Sequence, residues 1–288
     1  MNDTFIAPYL KNSIYFLNPS VKYPKSPLRY PGGKARAVNQ ILRFIPDTES
    51  TLVSPFFGGG SIEIAAASLG LNVVGYDAFQ PLVDFWVELL KNSKTLADLV
   101  EIFFPLSKDK FYELQKMTFV DQLENAAVFY VLNRSSFGGS TLSGGMSPGH
   151  PRFTKSSIDY LRNFQVPNLS VSYGDFHQTI SDHSESLLYL DPPYLIANSL
   201  YGKNGNTHKD FDHIGLCSLL RKRGKWILSY NDCNELRDMY QGYRILIPQW
   251  KYGMSNNKES RELLILSNDL PDLNIASEIL QPSFFKLC

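Results

Sequence analysis

Apolar residues in the first third of the chain alternate between short continuous runs and helical periodicity. STLVSPF and NVVGYDA are short apolar runs, which is typical of buried strands. GSIEIAAASLG and PLVDFWVELLKN have helical periodicity; Gly70 closes the first, and Pro81 opens the second at a favoured helical position. KARAVNQILRFIP, before the first run, is also helical in pattern. This order predicts the start of a doubly wound α/β sheet.

The pattern changes near residue 91 and returns near residue 169. DKFYELQKM and DQLENAAVFYVLN are helical with no parallel strand between them, and the Gly/Ser-rich RSSFGGSTLSGGMSPGHPRF follows. Strand runs resume as LSVSYGDF, SLLYLD, GKWILSYND, YRILIPQW and RELLILSN, with helical DHIGLCSLLRKR and NELRDMY between some of them. We therefore predict an α/β domain of residues 26–90 and 169–288, a mainly helical insertion of residues 91–168, and an N-terminal arm of residues 1–25.

Composition narrows the class of protein without indicating a substrate. The 288 residues include 28 basic and 28 acidic side chains, so net charge indicates no polyanionic partner, although a local basic patch would suffice. Cys217, Cys233 and Cys288 are scattered and the five histidines are dispersed, which argues against a disulfide framework and a zinc site. No segment has the pattern of a membrane span or a signal peptide. We expect a soluble, cytoplasmic protein without a metal site.

The stretch SLLYLDPPY places an acid directly after a buried apolar run. Pro192 and Pro193 lack the N–H groups that extend a strand, so Asp191 should lie at the carboxyl edge of a central strand. Ligands bind at that edge in open α/β sheets. A carboxylate, a fixed carbonyl and the Tyr194 ring suit a planar group that carries an amine. Taken alone, these four residues fit an ordinary strand-to-loop turn equally well.

Three glycines in VSPFFGGGS lie between a strand and a helix, where a ligand can approach the backbone closely. Asp77 ends the next strand, about seventeen residues past Gly60, where an acid accepts hydrogen bonds from ribose hydroxyls in Rossmann-like sites. Together these features predict a nucleoside site. LRYPGGK is a second glycine turn before a helix, and taken alone it is more typical of a plain helix start.

In this order, LRYPGGK, PFFGGGS, GYD, GDF, LYLDPPY and SYND resemble the motifs of the Dam-type DNA adenine-N6 methyltransferases of the alpha group. The resemblance covers roughly residues 26–268 and is specific because six motifs agree in order. It implies a Rossmann-like methyltransferase sheet, S-adenosylmethionine as the methyl donor, double-stranded DNA as the substrate, and an insertion that recognises the target. A cognate restriction endonuclease would be a functional partner, with no complex required.

The resemblance also implies a cofactor site. Tyr30 and Lys34 would touch the methionine part of S-adenosylmethionine, Asp77 would hold its ribose, and the GDF turn would clasp its adenine. The residues expected to bind the cofactor are Tyr30, Gly33, Lys34, Phe56, Phe57, Gly58, Gly59, Gly60, Ser61, Asp77, Asp175, Phe176 and Asp191. Ser54 stands where the family usually has an acid before proline, so the family's hydrogen bond near the methionine amine cannot be transferred to that position.

The D-P-P-Y motif is implied to carry the catalysis, through Asp191, Pro192, Pro193 and Tyr194. Asp191 and a proline carbonyl would accept the protons of the exocyclic amine of a flipped-out adenine. The nitrogen lone pair would then point at the sulfonium methyl group. Tyr194 would stack on the base. This chemistry requires no metal.

The insertion is implied to contact DNA through NRSSFGG, which in the family forms a hairpin beside the flipped base. Arg134 is a candidate for base-edge or phosphate contacts and Phe137 for stacking. A helix-end arginine and a core phenylalanine are the equally weighted alternative. The residues expected to bind DNA are Asn133, Arg134, Ser135, Phe137, Lys203, Lys209 and Lys251.

Three other functions stay open at this level. A methyltransferase for RNA or for a protein amide more often carries Asn in place of Asp191 and lacks the insertion. A non-catalytic DNA-binding relative would fit Ser54 but not the intact D-P-P-Y motif. A nicotinamide oxidoreductase would explain the glycines and Asp77 but leaves D-P-P-Y unexplained.

Overall fold

A seven-stranded sheet with the order β3-β2-β1-β4-β5-β7-β6 forms the centre of the protein. The structure, a computed structural model, describes residues 22–139, 144–147, 152–195, 211–248 and 262–271. The strands are β1 (Thr51–Ser54), β2 (Asn72–Asp77), β3 (Leu169–Tyr173), β4 (Leu187–Leu190), β5 (Trp226–Asn231), β6 (Arg244–Leu246) and β7 (Glu262–Leu266). Each lies within one of the seven predicted apolar runs, so these strands are confirmed.

The strands are parallel except for β7. β1 pairs in parallel with β2 on one side and β4 on the other, β3 pairs with β2, and β5 pairs with β4. β7 lies antiparallel between β5 and β6. The chain therefore adds β2 and β3 on one side of β1 and then adds the remaining strands on the other side. The direction in which strands are added reverses between β1 and β4. This is the predicted doubly wound, Rossmann-like arrangement.

Helices connect the strands and cover both faces of the sheet. They are α1 (Val38–Leu42), α2 (Ser61–Ser68), α3 (Gln80–Glu101), α4 (Lys108–Leu114), α5 (Gln122–Ser135), α6 (Lys155–Arg162), α7 (Phe176–Asp182), α8 (His213–Leu220) and α9 (Asn234–Met239). The sequence patterns did not predict α6 and α7.

Successive residues of a central strand pack into different cores. In β4, Leu187 and Tyr189 belong to the core on one face of the sheet, whereas Leu188 and Leu190 belong to the core on the other face. Both faces are covered, so every residue of the strand is buried. This explains why the apolar run showed no alternation with polar residues.

The helices between β2 and β3 share a core with the sheet. The Phe85 ring of α3 stacks on the Tyr130 ring of α5 with centroids 5.6 Å apart, and both belong to the core that includes Leu187. α3 has non-helical backbone angles at Asn92, next to the predicted boundary between residues 90 and 91. The division into a domain of residues 26–90 and 169–288 and an insertion of residues 91–168 stays a prediction.

Candidate active site

Three sequence motifs meet at the carboxyl edge of the sheet. The glycine loop, residues 56–60, follows β1, the D-P-P-Y motif follows β4, and Asp77 ends β2. These strands are neighbours in the order β2-β1-β4, so the glycine loop and D-P-P-Y lie on the two sides of the reversal in strand order. The crevice at such a reversal is where doubly wound sheets bind ligands.

The glycine loop has a backbone that other residues would strain. Gly58 and Gly60 have φ angles of 50° and 66°, in the left-handed region, and Gly60 is the N-cap of α2. A Cβ atom on Gly59 would lie 2.7 Å from the Cβ of Tyr30. Tyr30 therefore packs directly on the loop. The LRYPGGK turn and the glycine loop, both predicted to bind the cofactor, are thus in contact.

Asp77 and Trp86 fix the position of the glycine loop. The Asp77 carboxylate accepts hydrogen bonds from the N–H groups of Gly58 at 2.9 Å and Phe79 at 3.0 Å. Trp86 donates its indole N–H to the Gly58 carbonyl at 3.0 Å. Burial raises the pKa of Asp77, and the backbone N–H groups oppose that shift. Because a carboxylate has several lone pairs, Asp77 keeps acceptor capacity for a ribose.

Phe56, Phe176 and Phe211 form an aromatic cluster beside the glycine loop. The Phe56 ring lies 5.6 Å from each of the other two rings, which are 5.1 Å apart. Phe57 is buried in the core instead, against Gly75, where a Cβ atom would lie only 2.1 Å from the ring. Phe56 and Phe176 thus come together, whereas Phe57 can offer a ligand only its backbone. No sequence motif indicated Phe211.

Asp175 caps α7 at the end of β3. Its carboxylate accepts from the backbone N–H of His177 at 2.8 Å and lies 2.9 Å from Nδ1 of the same residue. The His177 ring stacks on Phe176 with centroids 3.9 Å apart. The backbone N–H of Gly174 donates to the Asp77 carbonyl at 3.2 Å. The GDF turn therefore lies beside the end of β2, and its contact with the cofactor's adenine stays a prediction.

Lys34 joins two of the motifs to β7 through a buried ionic cluster. Its ammonium donates to both oxygens of Asp191 at 2.7 Å and to the Tyr194 hydroxyl at 2.8 Å. Glu262 Oε1 lies 3.4 Å from the same nitrogen and accepts a hydrogen bond from Tyr194. The Asp191 side chain is 22% exposed, while those of Lys34 and Glu262 are almost fully buried. Asp191 is therefore the charged group of this cluster that is most open to the crevice.

Burial and charge together set the ionisation of this cluster. Burial alone would lower the pKa of Lys34, but the carboxylates of Asp191 and Glu262 raise it above its ordinary value. Burial raises the pKa of Asp191, and the Lys34 ammonium opposes that shift. Burial and the same two carboxylates hold the pKa of Tyr194 well above its ordinary value. Lys34 is therefore an ammonium and Tyr194 a neutral phenol at neutral pH.

The D-P-P-Y segment is tied to the neighbouring strand β5. Pro192 is buried and Pro193 is partly exposed. The backbone N–H of Leu195 donates to the Asn231 side chain at 3.1 Å, which links this segment to the SYND motif. The Tyr194 ring stacks on Tyr230 with centroids 6.0 Å apart. The backbone after Asp191 is thus supported on the side of β5.

Ser54 holds a second buried carboxylate near the site. Its hydroxyl, at the end of β1, donates to Glu63 at 2.6 Å, and both residues are buried. Burial, with a smaller effect of Asp191, raises the pKa of Glu63 to about 7. Although Ser54 is not an acid, its side chain therefore positions one. No sequence motif indicated Glu63 or Glu262, since only the folded contacts identify their partners.

Residues on either side of positions 140–143 pair as a short hairpin. Ser136 forms an antiparallel bridge with Met146, and the Phe137 N–H donates to the Gly145 carbonyl at 2.9 Å. The Phe137 side chain is 71% exposed, whereas Ser135 is buried. Phe137 is therefore the residue of this predicted DNA-binding segment that is open to a partner.

Asn133 and Arg134 make contacts within the protein. The buried Asn133 amide binds the backbone of Arg29. Arg134 donates to the carbonyls of Arg152 at 3.1 Å and Pro27 at 3.4 Å. Burial lowers the pKa values of Arg29 and Arg134, and the charge of Arg152 lowers both further, so three guanidinium groups form an arginine cluster beside the hairpin. Three other predicted DNA-binding residues lie outside the described residues: Lys203, Lys209 and Lys251.

The family model of the D12 class N6 adenine-specific DNA methyltransferases matches residues 30–254. The chain belongs to this family. The match includes the LRYPGGK turn from Tyr30 onward, the glycine loop, the insertion and the D-P-P-Y motif. The predicted family is thereby confirmed.

Curated relatives of this methyltransferase are similar at low sequence identity. The DNA adenine methylase of Haemophilus influenzae is 23% identical over 274 residues, which are 85% of this chain and 92% of that protein. A DNA N-6-adenine-methyltransferase of Escherichia phage P1 is 26% identical over 252 residues, 80% of this chain and 33% of that protein. A type II methyltransferase of Paramecium bursaria Chlorella virus NC1A is 23% identical over 229 residues, 75% and 86% of the two chains. The chain thus spans a third of the phage protein and most of the other two.

Neither a membrane-spanning helix nor a cluster of metal-ligating side chains occurs among the described residues. None of its described helices is long and apolar enough to cross a membrane. The same residues contain no group of three or more His, Cys, Asp or Glu side chains arranged to hold a metal ion.

Proposed function

We propose that this protein transfers a methyl group from S-adenosylmethionine to the N6 amine of adenine in double-stranded DNA. The observation that carries the proposal is that the glycine loop after β1 and Asp191 after β4 lie at the same reversal of strand order. A donor bound at the loop and an amine held by Asp191 would meet there. Membership of the D12 class supports this donor and this acceptor.

The residues around the glycine loop fit S-adenosylmethionine chemically. Asp77 has acceptor capacity for ribose hydroxyls, and the aromatic cluster offers an apolar surface for a purine. The cofactor carries a positive ammonium and a positive sulfonium. The Asp191 carboxylate, which is 22% exposed at the crevice, would provide negative charge to receive those groups.

The reaction requires a nucleophilic nitrogen, and the adenine amine is a poor nucleophile because its lone pair is delocalised. S-adenosylmethionine supplies an electrophilic methyl group on a positively charged sulfur. Asp191 and the Pro192 carbonyl would accept the two N–H groups and favour a tetrahedral nitrogen. As the nitrogen–carbon bond forms and the sulfur–carbon bond breaks, the nitrogen becomes positive and then loses one proton. The Asp191 carboxylate would stabilise that charge and would be the group that accepts the proton.

The base must leave the duplex to reach Asp191, at a cost of about a few kcal/mol. Tyr194 would stack on the extruded adenine, and Phe137 would fill the gap that it leaves. The arginine cluster beside the hairpin would contact phosphates. The exposure of Phe137 supports this assignment.

Replacement of Asp191 tests the mechanism. Asp191→Ala should slow single-turnover methylation of adenine-containing duplexes by at least about 10²–10³-fold, since it removes a group directed at developing charge. Asp182→Ala, at the exposed end of α7, is the control and should keep the wild-type rate. An Asp191→Ala enzyme within about tenfold of wild type would contradict the mechanism.

Substrate choice separates this proposal from its rivals. Wild-type enzyme should methylate duplex DNA, and faster transfer to RNA or to protein would favour the alternative substrates. The name of the viral relative supports a role beside a restriction endonuclease, as a functional partner. Sequencing of modified bases in DNA from cells that express the protein would identify the target site.

A further inference from the structure

Glu262 is a buried carboxylate at the edge of the sheet where the motifs meet. Glu262 is the first residue of β7. Because β7 runs antiparallel to β5, the start of β7 lies beside the end of β5, and Glu262 pairs with Asn231 there. Its side chain is 1% exposed. The rest of β7 is apolar and buried, as a central strand requires. A buried carboxylate costs free energy unless it is paired, so this position needs a reason beyond the fold.

The contacts of Glu262 connect it to two residues of the site. It accepts a hydrogen bond from the Tyr194 hydroxyl, and its Oε1 lies 3.4 Å from the Lys34 ammonium. Tyr194 belongs to the D-P-P-Y motif and Lys34 to the LRYPGGK turn. Glu262 therefore holds both segments from β7, which lies two strands away from β4 in the sheet.

Lys34 has more acceptors than protons. An ammonium carries three N–H groups. Among the described residues alone, five acceptor atoms lie near its nitrogen: two oxygens of Asp191 at 2.7 Å, the Tyr194 hydroxyl at 2.8 Å, the Gly32 carbonyl at 3.1 Å, and Oε1 of Glu262 at 3.4 Å. Lys34 can therefore release one of these acceptors and remain paired.

Asp191 is the acceptor that the reaction needs. In the proposed function its carboxylate receives the adenine amine, yet both of its oxygens accept from Lys34. Each Asp191 oxygen keeps a further lone pair for an incoming amine, but the amine must compete for the position of the carboxylate with a charged donor, whose hydrogen bonds are the stronger kind. A second carboxylate beside Lys34 reduces this competition, because it offers the ammonium another charged partner.

We propose that Glu262 is a positioning residue, which retains the Lys34 ammonium and the Tyr194 hydroxyl so that Asp191 can accept the adenine amine. This inference rests on the proposed function. Glu262 acts through Lys34 and Tyr194, and it does not touch the base. Loss of its charge should bind Lys34 more tightly to Asp191 and slow the chemical step.

Three variants separate the charge of Glu262 from its packing. Glu262→Gln keeps the size of the side chain and an acceptor for Tyr194 but removes the charge, whereas Glu262→Asp keeps the charge. Glu88→Gln is the matched control, because Glu88 is also buried and also paired with a lysine, Lys91, but lies on α3. We expect kcat to fall about 10- to 100-fold in Glu262→Gln with KM for the cofactor nearly unchanged, and Glu262→Asp to recover most of the loss.

A second measurement does not depend on methylation. NMR of carbon-labelled lysines, with Lys34→Met to assign the signal, should show a lower pKa for Lys34 in Glu262→Gln than in wild type, Glu262→Asp or Glu88→Gln. An unchanged Lys34 signal in Glu262→Gln would overturn the inference, whatever the activity. A normal kcat in that variant would do the same. If the Gln variant does not fold, a Lys34 pKa in Glu262→Asp as low as in free lysine would overturn it. Wild-type enzyme that methylates no adenine, with the Lys34 shift intact, would instead contradict the proposed function.

Discussion

The side-chain amide of Asn133 pairs with the backbone of Arg29 as one strand pairs with another. Its Oδ1 accepts from the Arg29 N–H at 2.8 Å, and its Nδ2 donates to the Arg29 carbonyl at 2.9 Å, across 104 positions of sequence. Arg29 directly precedes the Tyr30 that packs on the glycine loop. The last turn of α5, from which the hairpin leaves, is thereby attached to the segment that leads to Lys34.

We predict that Asn133→Ala lowers the free energy of unfolding by about 1–3 kcal/mol, because two partly buried backbone groups of Arg29 lose their partner. Urea unfolding would measure the change. Asn163→Ala is the control, since the Asn163 amide is exposed and bonds only locally to the Asp159 carbonyl. Equal losses in the two variants would show that the pairing with Arg29 contributes no special stability.

Phe137→Ala should weaken capture of the target base by about 1–3 kcal/mol, the usual contribution of an aromatic side chain that stacks on a base. Stability should change little, because the ring is 71% exposed. Tyr173→Ala removes another exposed aromatic residue, at the end of β3, and should leave DNA binding unchanged. Fluorescence of a duplex with 2-aminopurine at the target position reports extrusion directly. The same signal in Phe137→Ala and wild type would remove Phe137 from the interface.

The strands and the D-P-P-Y motif at the carboxyl edge of the sheet could be predicted from sequence because their signals are local. β4 is a short apolar run buried on both faces, and the acid and two prolines that end it are its immediate neighbours. The glycines of the loop have the same advantage, since the positive φ angles of Gly58 and Gly60 are requirements of the backbone itself. Each of these features is set within a few residues of its own position.

The partners in the ionic cluster could not be predicted, because they come from distant parts of the chain. Glu262 follows a polar stretch of sequence, and nothing near it indicates Lys34. The contact of Asn133 with Arg29 could not be predicted either, and its contact with DNA stays a prediction. Its neighbours Arg134 and Phe137 suggested a DNA contact. In the fold the Asn133 side chain is buried and its amide binds the backbone of Arg29, and a sequence pattern cannot reveal a partner so far along the chain.

We predict that Asp77→Ala weakens S-adenosylmethionine binding by about 1–3 kcal/mol, since ribose hydroxyls and the Gly58 N–H would lose a charged acceptor. Asp77→Asn should lose less, because its amide carbonyl still accepts hydrogen bonds. Isothermal titration with the cofactor would rank the two variants. Asp109→Ala, on the exposed face of α4, is the control. Wild-type affinity in a folded Asp77→Ala protein would exclude Asp77 from the site.

Glu63 should make stability depend on pH in a direction opposite to that of most carboxylates. Its pKa is raised from 4.5 to about 7 in the folded protein, so the folded state binds an extra proton between these values. The stability from this group is therefore present below about pH 4.5 and is lost as the pH rises through about 7. The difference between the two pKa values corresponds to about 3 kcal/mol.

Glu63→Gln removes this titration and keeps an oxygen that can accept from Ser54. Relative to wild type, the variant should therefore gain about 2–3 kcal/mol of stability between about pH 5 and about pH 8. Urea unfolding of both proteins at the two pH values would measure the gain. Glu113→Gln, on the exposed side of α4, should show no such change. A constant difference between Glu63→Gln and wild type across this pH range would mean that Glu63 is already ionised at pH 5 and that its burial is fully compensated by Ser54 and the α2 N-terminus.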